Sequence, residues 1–382
     1  MSFLSTLKIR TISRLIIILK TVQHSHPKSF ESASFIIPAY TGLGNFIMMN
    51  PMIRTLKEQF PSCRIYILAG NNFGTEAVLK GTDIVEDVLI LPEHDNLFKK
   101  FCFFLKLRSE KIDVAFIPFN ASPSFYRLGV LVAGIPMRIG HTSEALGIDP
   151  GWTTDVLTDY IPVRINRHET DIHYDLLDVL LPTVKRSYDT IIHTSSDDKV
   201  MDQFNLKKKT YIVLQVSAAN GMKSAKVWPQ ERFLDLAEHI YKNKMDIVLA
   251  GDQMEKEVVD QFESLCKVPV KNIAGRTTIG EIASLIRCSK GLVCHDSGLM
   301  HIANALKTPL IALYGPTDYN YTRPMAETSK VIRKDIDCAP CMANFAKTEQ
   351  EAYNDCSFNF KCMKSISVEE VIQEIRVRMR LN

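Results

Sequence analysis

Long apolar runs are missing from this sequence. In its first 28 residues, where a leader or anchor would sit, the longest is Leu15 to Leu19. A membrane-spanning helix needs ~20 such residues. Arg10 and Arg14 break anything longer, and no small-residue cleavage site follows, so neither a span nor a signal peptide is expected. Acids are missing there as well: Lys8, Arg10, Arg14, Lys20 and Lys28 face no Asp or Glu. The 382-residue chain has a formal net charge of only +3, so everything after the extension is slightly acidic. A body without basic excess argues against a nucleic-acid binder, which needs positive charge on its folded surface. Low-complexity tracts and short tandem repeats are also absent, which leaves an ordinary globular chain.

That chain is 46% hydrophobic, 23% charged and 9% aromatic, enough apolar content to bury full cores. Its length suggests two domains. Within residues 1–34, Leu4, Leu7, Ile12, Leu15, Ile16 and Leu19 approximate a helical stripe flanked by the basic residues. Such a helix suits an anionic membrane surface; the plainer reading is a helix packed on the body. A cytoplasmic location follows, with peripheral contact on the inner face of the membrane through residues 1–28.

Short apolar runs then alternate with helical patterns. The expected strands are Phe35–Ala39, Ile65–Ala69, Val114–Ile117, Tyr211–Val216, Ile247–Ala250, Gly291–Cys294 and Leu310–Tyr314. Helices at 3.6-residue spacing lie between them, carrying Met52, Ile53, Leu56 and Phe60, and later Phe233, Leu234, Ala237, Ile240 and Tyr241. Thr278 and Glu281 form the signature of a capping box. Strand, helix, strand repetition predicts α/β architecture with parallel sheets covered on both faces. Pro182, the polar run from Thr194 to Asp198 and Lys207-Lys208-Lys209 interrupt the rhythm. Residues 35–185 and 210–365 are therefore expected as two domains, with 186–209 as the linker and 366–382 as a last helix.

Ligands of parallel sheets bind beyond the carboxyl ends of strands. Two stretches stand out there. Gly42, Gly44 and Asn45 follow the first strand; glycine permits close backbone approach, though a Gly-rich turn is often only a turn. Cys294-His295-Asp296-Ser297-Gly298-Leu299-Met300-His301 follows a later strand. Leu299, Ile302, Ala303 and Leu306 share one helical face, with Ser297, Met300, His301 and Asn304 opposite. Asp296 is expected to cap the helix, and Ser297 and Gly298 to offer N–H groups to a phosphate. An acid beside a phosphate site makes sense if it holds sugar hydroxyls, and that combination suits a sugar joined to a diphosphate. Ser217, Asn220, Gly221, Lys223 and Lys226 precede Trp228-Pro229; a lysine there would neutralise a diphosphate, and its spacing favours Lys226 over Lys223. Gly315, Pro316, Thr317 and Asp318 follow the next strand.

Together, Gly42-Leu43-Gly44-Asn45 with Asn50-Pro51, Lys226-Val227-Trp228-Pro229, Asp296 to His301 and Tyr314 to Asp318 resemble glycosyltransferase family 9, the lipopolysaccharide heptosyltransferases and their relatives. The resemblance spans residues 35–375. It implies a GT-B fold, two Rossmann-like domains facing a central cleft, the first binding the acceptor and the second the nucleotide-sugar. It implies inverting transfer, commonly of heptose from ADP-heptose, to a lipopolysaccharide-type or other glycan or lipid-linked acceptor, with no cofactor. By position, Lys226 would contact the phosphates, Asp296 and His301 the donor sugar and diphosphate, and Ser217, Ser297, Gly298, Gly315, Pro316 and Thr317 the surrounding donor loops. The family often carries an aspartate, proposed as the base, where this chain has Asn45, and an amide is no general base. Asp149, His141 and His295 are the substitutes considered. A relative that binds nucleotide-sugar without transfer, and a heptosyltransferase acting on autotransporter-type proteins, are the alternatives. A dinucleotide oxidoreductase is disfavoured because Ile47 stands where the third glycine of G-x-G-x-x-G belongs.

Four of nine cysteines, Cys338, Cys341, Cys356 and Cys362, fall within residues 338–362 at metal-ligand spacing. In a reducing compartment, four thiolates around a structural zinc are the sharper reading. Relatives of the family that glycosylate autotransporters are similar in carrying cysteine-bound iron, which keeps iron open; free or disulfide-forming thiols are the plain alternative. Cys63, Cys102, Cys266, Cys288 and Cys294 read as core.

Overall fold

The computed structural model describes residues 27–70, 74–79, 81–92, 97–120, 124–142, 151–164, 166–218, 224–343 and 346–380. The chain divides into two compact units: Met1–Ile165 with Glu169–Ile191, and Asn166–His168 with Ile192–Asn382. The basic extension, residues 1–26, lies outside the described residues.

Among the described residues each unit has a six-stranded parallel sheet. The first is built from β1 (Ser34–Pro38), β2 (Arg64–Ala69), β3 (Asp87–Ile90), β4 (Val114–Ile117), β5 (Met137–Thr142) and β6 (Asp159–Pro162), in the order β3-β2-β1-β4-β5-β6. The second uses β7 (Tyr211–Leu214), β8 (Asp246–Leu249), β9 (Lys271–Asn272), β10 (Gly291–His295), β11 (Leu310–Tyr314) and β12 (Ser329–Arg333), in the order β12-β11-β10-β7-β8-β9. Each order reverses beside its first strand, between β1 and β4 and between β7 and β10. Such a switch point opens a crevice at the carboxyl ends of the strands.

Every residue of β1, β4, β7, β10 and β11 is buried, as expected of strands covered on both faces. These continuous apolar runs are the ones visible in the sequence. The strands that were not expected, β3, β6, β9 and β12, lie at or next to the sheet edges and are half exposed or very short. The other one, β5, is buried but carries Arg138 and His141. Arg138 is satisfied internally: its Nε donates to the Val156 carbonyl at 2.6 Å and its Nη1 to the Ile135 and Pro136 carbonyls.

Local signals set the helix ends. Thr278 and Glu281 form the reciprocal capping box opening Ile279–Cys288, and Ser367 with Glu370 opens Val368–Met379 in the same way. This last helix places Val371, Ile375 and Met379 in the core of the second unit with Trp228, Phe233 and Leu236. Residues 186–209 divide between the units at Ile191, and part of them forms the helix Asp197–Gln203.

Trp228 is the largest fully buried side chain of the second unit. Its ring meets Phe233 edge-on at 4.9 Å, and its Nε1 donates to the Ile366 carbonyl at 2.9 Å. Trp228→Ala is expected to destabilise the chain by about 3–5 kcal/mol, measurable by urea unfolding; a loss below about 1 kcal/mol would show that the ring is not part of the cooperative core.

Candidate active site

In the second unit, polar groups collect at the switch point between β7 and β10. Gln215 and Ser217 follow β7; His295 ends β10 and hands the chain to Asp296 and Ser297. Because the strand runs through His295 and the helix Gly298–Ala305 starts three residues later, the capping position falls on Ser297 rather than on Asp296 as expected. The Ser297 hydroxyl accepts from Met300 N at 3.4 Å and donates to Gln215 Oε1 at 2.6 Å. The N–H groups of the first turn precede any intrahelical bond and point out of the helix end.

Asp296 is thereby released for other partners. Its Oδ2 lies 3.6 Å from Lys226 Nζ, and its Oδ1 accepts from the Tyr314 hydroxyl at 3.3 Å. Glu349 completes the arrangement, with Oε2 3.6 Å from Lys226 Nζ on its other side and Oε1 accepting from the Ser224 hydroxyl. All three charged side chains are largely buried. Burial alone would lower the Lys226 pKa, but Asp296 and Glu349 outweigh it and hold the ammonium above its ordinary value. Lys226 is therefore a fixed positive charge. Glu349 was missed in the sequence, although Thr348 and Glu351 form a capping box there and put Glu349 at the first helical position. Lys223, Asn220 and Gly221 lie outside the described residues.

Three expectations need correction. Met300 and His301 are buried, not on an open polar face, because their helix packs against β10, β11 and Ile279–Cys288; Leu299 and Leu306 are only half buried. His295 is no candidate base. Its ring is fully buried, Nε2 accepts the Trp228 backbone N–H at 2.9 Å, and Nδ1 is 3.2 Å from the Ser217 carbonyl, to which it donates. Burial lowers its pKa to about 4. His141 is equally enclosed, with Nε2 2.9 Å from the Ile172 carbonyl. Asp149 lies outside the described residues.

The remaining residues after β11 fall beside this group. A Cβ on Gly315 would stand 2.5 Å from Met363 Sδ and 3.0 Å from Cys362 Sγ, so close packing already requires glycine there. Pro316 accepts from Met342 N at 2.9 Å. The Thr317 hydroxyl is buried and finds no hydrogen-bond partner among the described residues, beside a small cavity of about 60 Å³ that Tyr314, Asp318, Arg333 and Lys334 also line. Ser217 donates to the buried Glu255 at 2.9 Å, and Gln215 donates to the same oxygen at 3.2 Å. Burial raises the Glu255 pKa.

In the first unit, the helix Leu43–Gln59 begins inside the glycine motif, so Gly42 is its cap and Gly44 and Asn45 lie in its first turn. Gly42 has φ −60° and needs no left-handed freedom. Asn45 Nδ2 stands 2.9 Å from both carboxylate oxygens of Glu169, a fully buried residue that the sequence did not single out.

The four clustered cysteines are free thiols. Cys362 is pushed up to about 11, first by burial, with the charges of Cys338, Cys341 and Cys356 adding to the shift. The four therefore share one neighbourhood. Among the described residues, however, no three His, Cys, Asp or Glu groups stand within reach of one metal ion. The expected closed tetrahedral set is not assembled: Cys362 turns toward Gly315, and Cys356 Sγ takes up the Phe360 N–H at 3.2 Å.

With this geometry in place, comparisons with known proteins agree. The model of glycosyltransferase family 9 (heptosyltransferase) matches residues 163–351. Lipopolysaccharide heptosyltransferase 2 of Escherichia coli K12 is 25% identical over 307 residues, covering 76% of this chain and 85% of that protein. The structure of E. coli ADP-heptose lipopolysaccharide heptosyltransferase II superposes with a TM-score of 0.72 at 22% identity, covering 91% of this chain and 98% of that one. The iron-containing dodecameric glycosyltransferase TibC of enterotoxigenic E. coli has the same fold at a TM-score of 0.56 and 11% identity, covering 91% and 76%. The fold is that of the GT-B enzymes.

The buried His295 makes stability depend on pH. Its folded pKa lies below that of the unfolded chain, so the unfolded state binds the extra proton and stability is lost as pH falls from 6.5 toward about 4. Between pH 7 and pH 5 this group should remove about 2 kcal/mol. Urea unfolding of wild type and His295→Gln at both pH values checks it; equal pH dependence in the two proteins would refute the assignment.

Proposed function

We infer that this chain, which belongs to glycosyltransferase family 9, transfers a heptose from a nucleotide diphosphate sugar to a lipopolysaccharide-type glycan acceptor. The observation that carries the reading is Lys226, held protonated between Asp296 and Glu349 at the β7/β10 switch point, next to the open end of Gly298–Ala305. A diphosphate brought to this place meets an ammonium and backbone N–H groups, the two elements that stabilise a departing anion. The likeness to E. coli ADP-heptose lipopolysaccharide heptosyltransferase II makes ADP-heptose the first donor to test.

Transfer would be one displacement. The acceptor oxygen bonds to the anomeric carbon as the bond from that carbon to the diphosphate oxygen breaks, and the acceptor proton passes to a base. Lys226 and the helix N–H groups receive the charge that develops on the diphosphate, while Asp296 orients the donor sugar through its hydroxyls. Ser217, Ser297, Gly298, His301, Gly315, Pro316 and Thr317 form the donor side of this proposal. Gly42, Gly44 and Asn45 form the acceptor side.

The enzyme is proposed to work in the cytoplasm, at the membrane face where such an acceptor is built. No helix among the described residues is long and apolar enough to cross a membrane. Peripheral contact through residues 1–28 is supported by a second surface of the same character. The helix Leu97–Leu107 exposes Leu97, Phe98, Phe101 and Leu105, and it also carries Lys99, Lys100 and Lys106 without an acid. Exposed apolar and cationic side chains on one helix suit an anionic interface.

Incubation with ADP-heptose and a heptose-acceptor glycan should give product, and Lys226→Ala or Asp296→Ala should each lower kcat by about a hundredfold or more. Wild-type turnover in both variants would overturn the site. Donor that binds but is never consumed would identify a binding protein.

A structural zinc or iron is proposed for Cys338, Cys341, Cys356 and Cys362 on their sequence spacing; holding it requires the Cys356 and Cys362 side chains to turn from Phe360 and Gly315 toward the first pair. Elemental analysis of the purified chain should find about one ion per chain; no bound metal would leave the cysteines as packed thiols.

A further inference from the structure

The first unit contains a buried carboxylate that neither the sequence motifs nor the transfer reaction accounts for. Glu169 is fully buried, at the first position of the helix Glu169–Asp178, where the helix dipole favours negative charge. Its oxygens collect donors from both strands that flank the switch point. Asn45, just after β1, places Nδ2 2.9 Å from each oxygen; Asn120, just after β4, donates to Oε1; His173 Nε2 lies 3.3 Å from the same oxygen. Burying a carboxylate costs several kcal/mol unless it is paired, and apolar residues would fill the space more cheaply. Ligands of such sheets bind at the carboxyl ends of the strands beside the switch point, which is where this carboxylate lies.

The chemistry fixes the direction of the amide. A carboxylate accepts and an amide nitrogen donates, so Asn45 must turn its NH2 inward and its carbonyl oxygen away from Glu169. That oxygen lies 3.3 Å from where a Cβ on Gly42 would stand, on the loop side of the helix end. The support is rigid: Thr170 Oγ1 donates to the Met48 carbonyl at 2.9 Å, and the Tyr174 and Thr55 hydroxyls meet at 2.7 Å, which locks the two helices together.

The geometry points to Glu169 as the positioning residue of the acceptor site: it holds the Asn45 carbonyl outward, polarised by the carboxylate behind it, as the group that accepts a hydrogen bond from the attacking acceptor hydroxyl. This rests on the transferase reading above. Hydrogen bonds in a chain strengthen one another, so the amide N–H shared between the two oxygens of Glu169 makes Oδ1 a better acceptor. The ligand class is a hydroxyl-bearing acceptor, and Glu169 acts on it only through Asn45.

An exchange of charge across the pair tests this. Glu169→Gln leaves one acceptor atom where two stood, so Asn45 loses a hydrogen bond or turns its oxygen inward. Asn45→Asp sets two carboxylates face to face, and one must take a proton. In Asn45→Asp/Glu169→Gln the glutamine amide donates to the new aspartate, restoring an outward acceptor oxygen. Each single variant should lower kcat by about tenfold or more, and the double variant should recover about tenfold over the poorer single, with KM for the donor unchanged throughout. Thermal unfolding of all four proteins, with Glu169→Asp as a charge-keeping variant, checks that each is folded. Turnover of Glu169→Gln within about twofold of wild type, or a folded double variant no better than the poorer single, would overturn the role. A wild-type chain that transfers no sugar would instead overturn the transferase reading.

Discussion

The burial of Trp228 is the interaction on which the second unit's site depends. One residue serves three elements: its backbone N–H fixes the His295 ring at the end of β10, its indole N–H holds the Ile366 carbonyl ahead of the final helix, and its ring fills the core against Phe233. Lys226 is two residues away on the same segment. A flexible four-carbon side chain pays considerable entropy to be held in one place, and here that cost is offset partly because the backbone beneath it is already anchored. The carboxylates then supply direction, Asp296 from the strand end and Glu349 from a separate helix.

The two units solve the same physical problem alike. Parallel strands bring backbone and side-chain polar groups to one end of a sheet, where buried ones need hydrogen-bond partners. In each unit a buried glutamate is that partner, Glu169 for Asn45 and Asn120, Glu255 for Gln215 and Ser217. In the second unit the network reaches Ser297 through Gln215, and Ser297 caps the helix beside Asp296. The loops at both switch points are therefore braced from below by charge.

Much of this was legible in the sequence, and the reasons for the rest are specific. Strands covered on both faces, such as β1, β10 and β11, appear as unbroken apolar runs, whereas β3 and β6 are half exposed and β5 carries Arg138 and His141, so none of them shows such a run. Capping boxes were legible because their two partners sit three residues apart. Asp296 was expected as the helix cap, but a shift of one residue in the helix start moves the cap to Ser297. Glu169, Glu255 and Glu349 were invisible because each acquires its meaning from a partner between 38 and 125 residues distant. Neither periodicity nor motif spacing encodes such a pairing.

The Asn45–Glu169 pair also limits how this protein could have changed over time. Asparagine and aspartate differ by a single base in their codons, as do glutamate and glutamine, so each exchange is an easy genetic step. Taken alone, Asn45→Asp sets two carboxylates face to face in a buried place, and Glu169→Gln removes the charge that fixes the direction of the Asn45 amide. A lineage moving the negative charge from one side of the pair to the other must cross a poorer intermediate or change both codons together. Residues 45 and 169 should thus behave as one inherited unit, although 124 positions separate them in the chain.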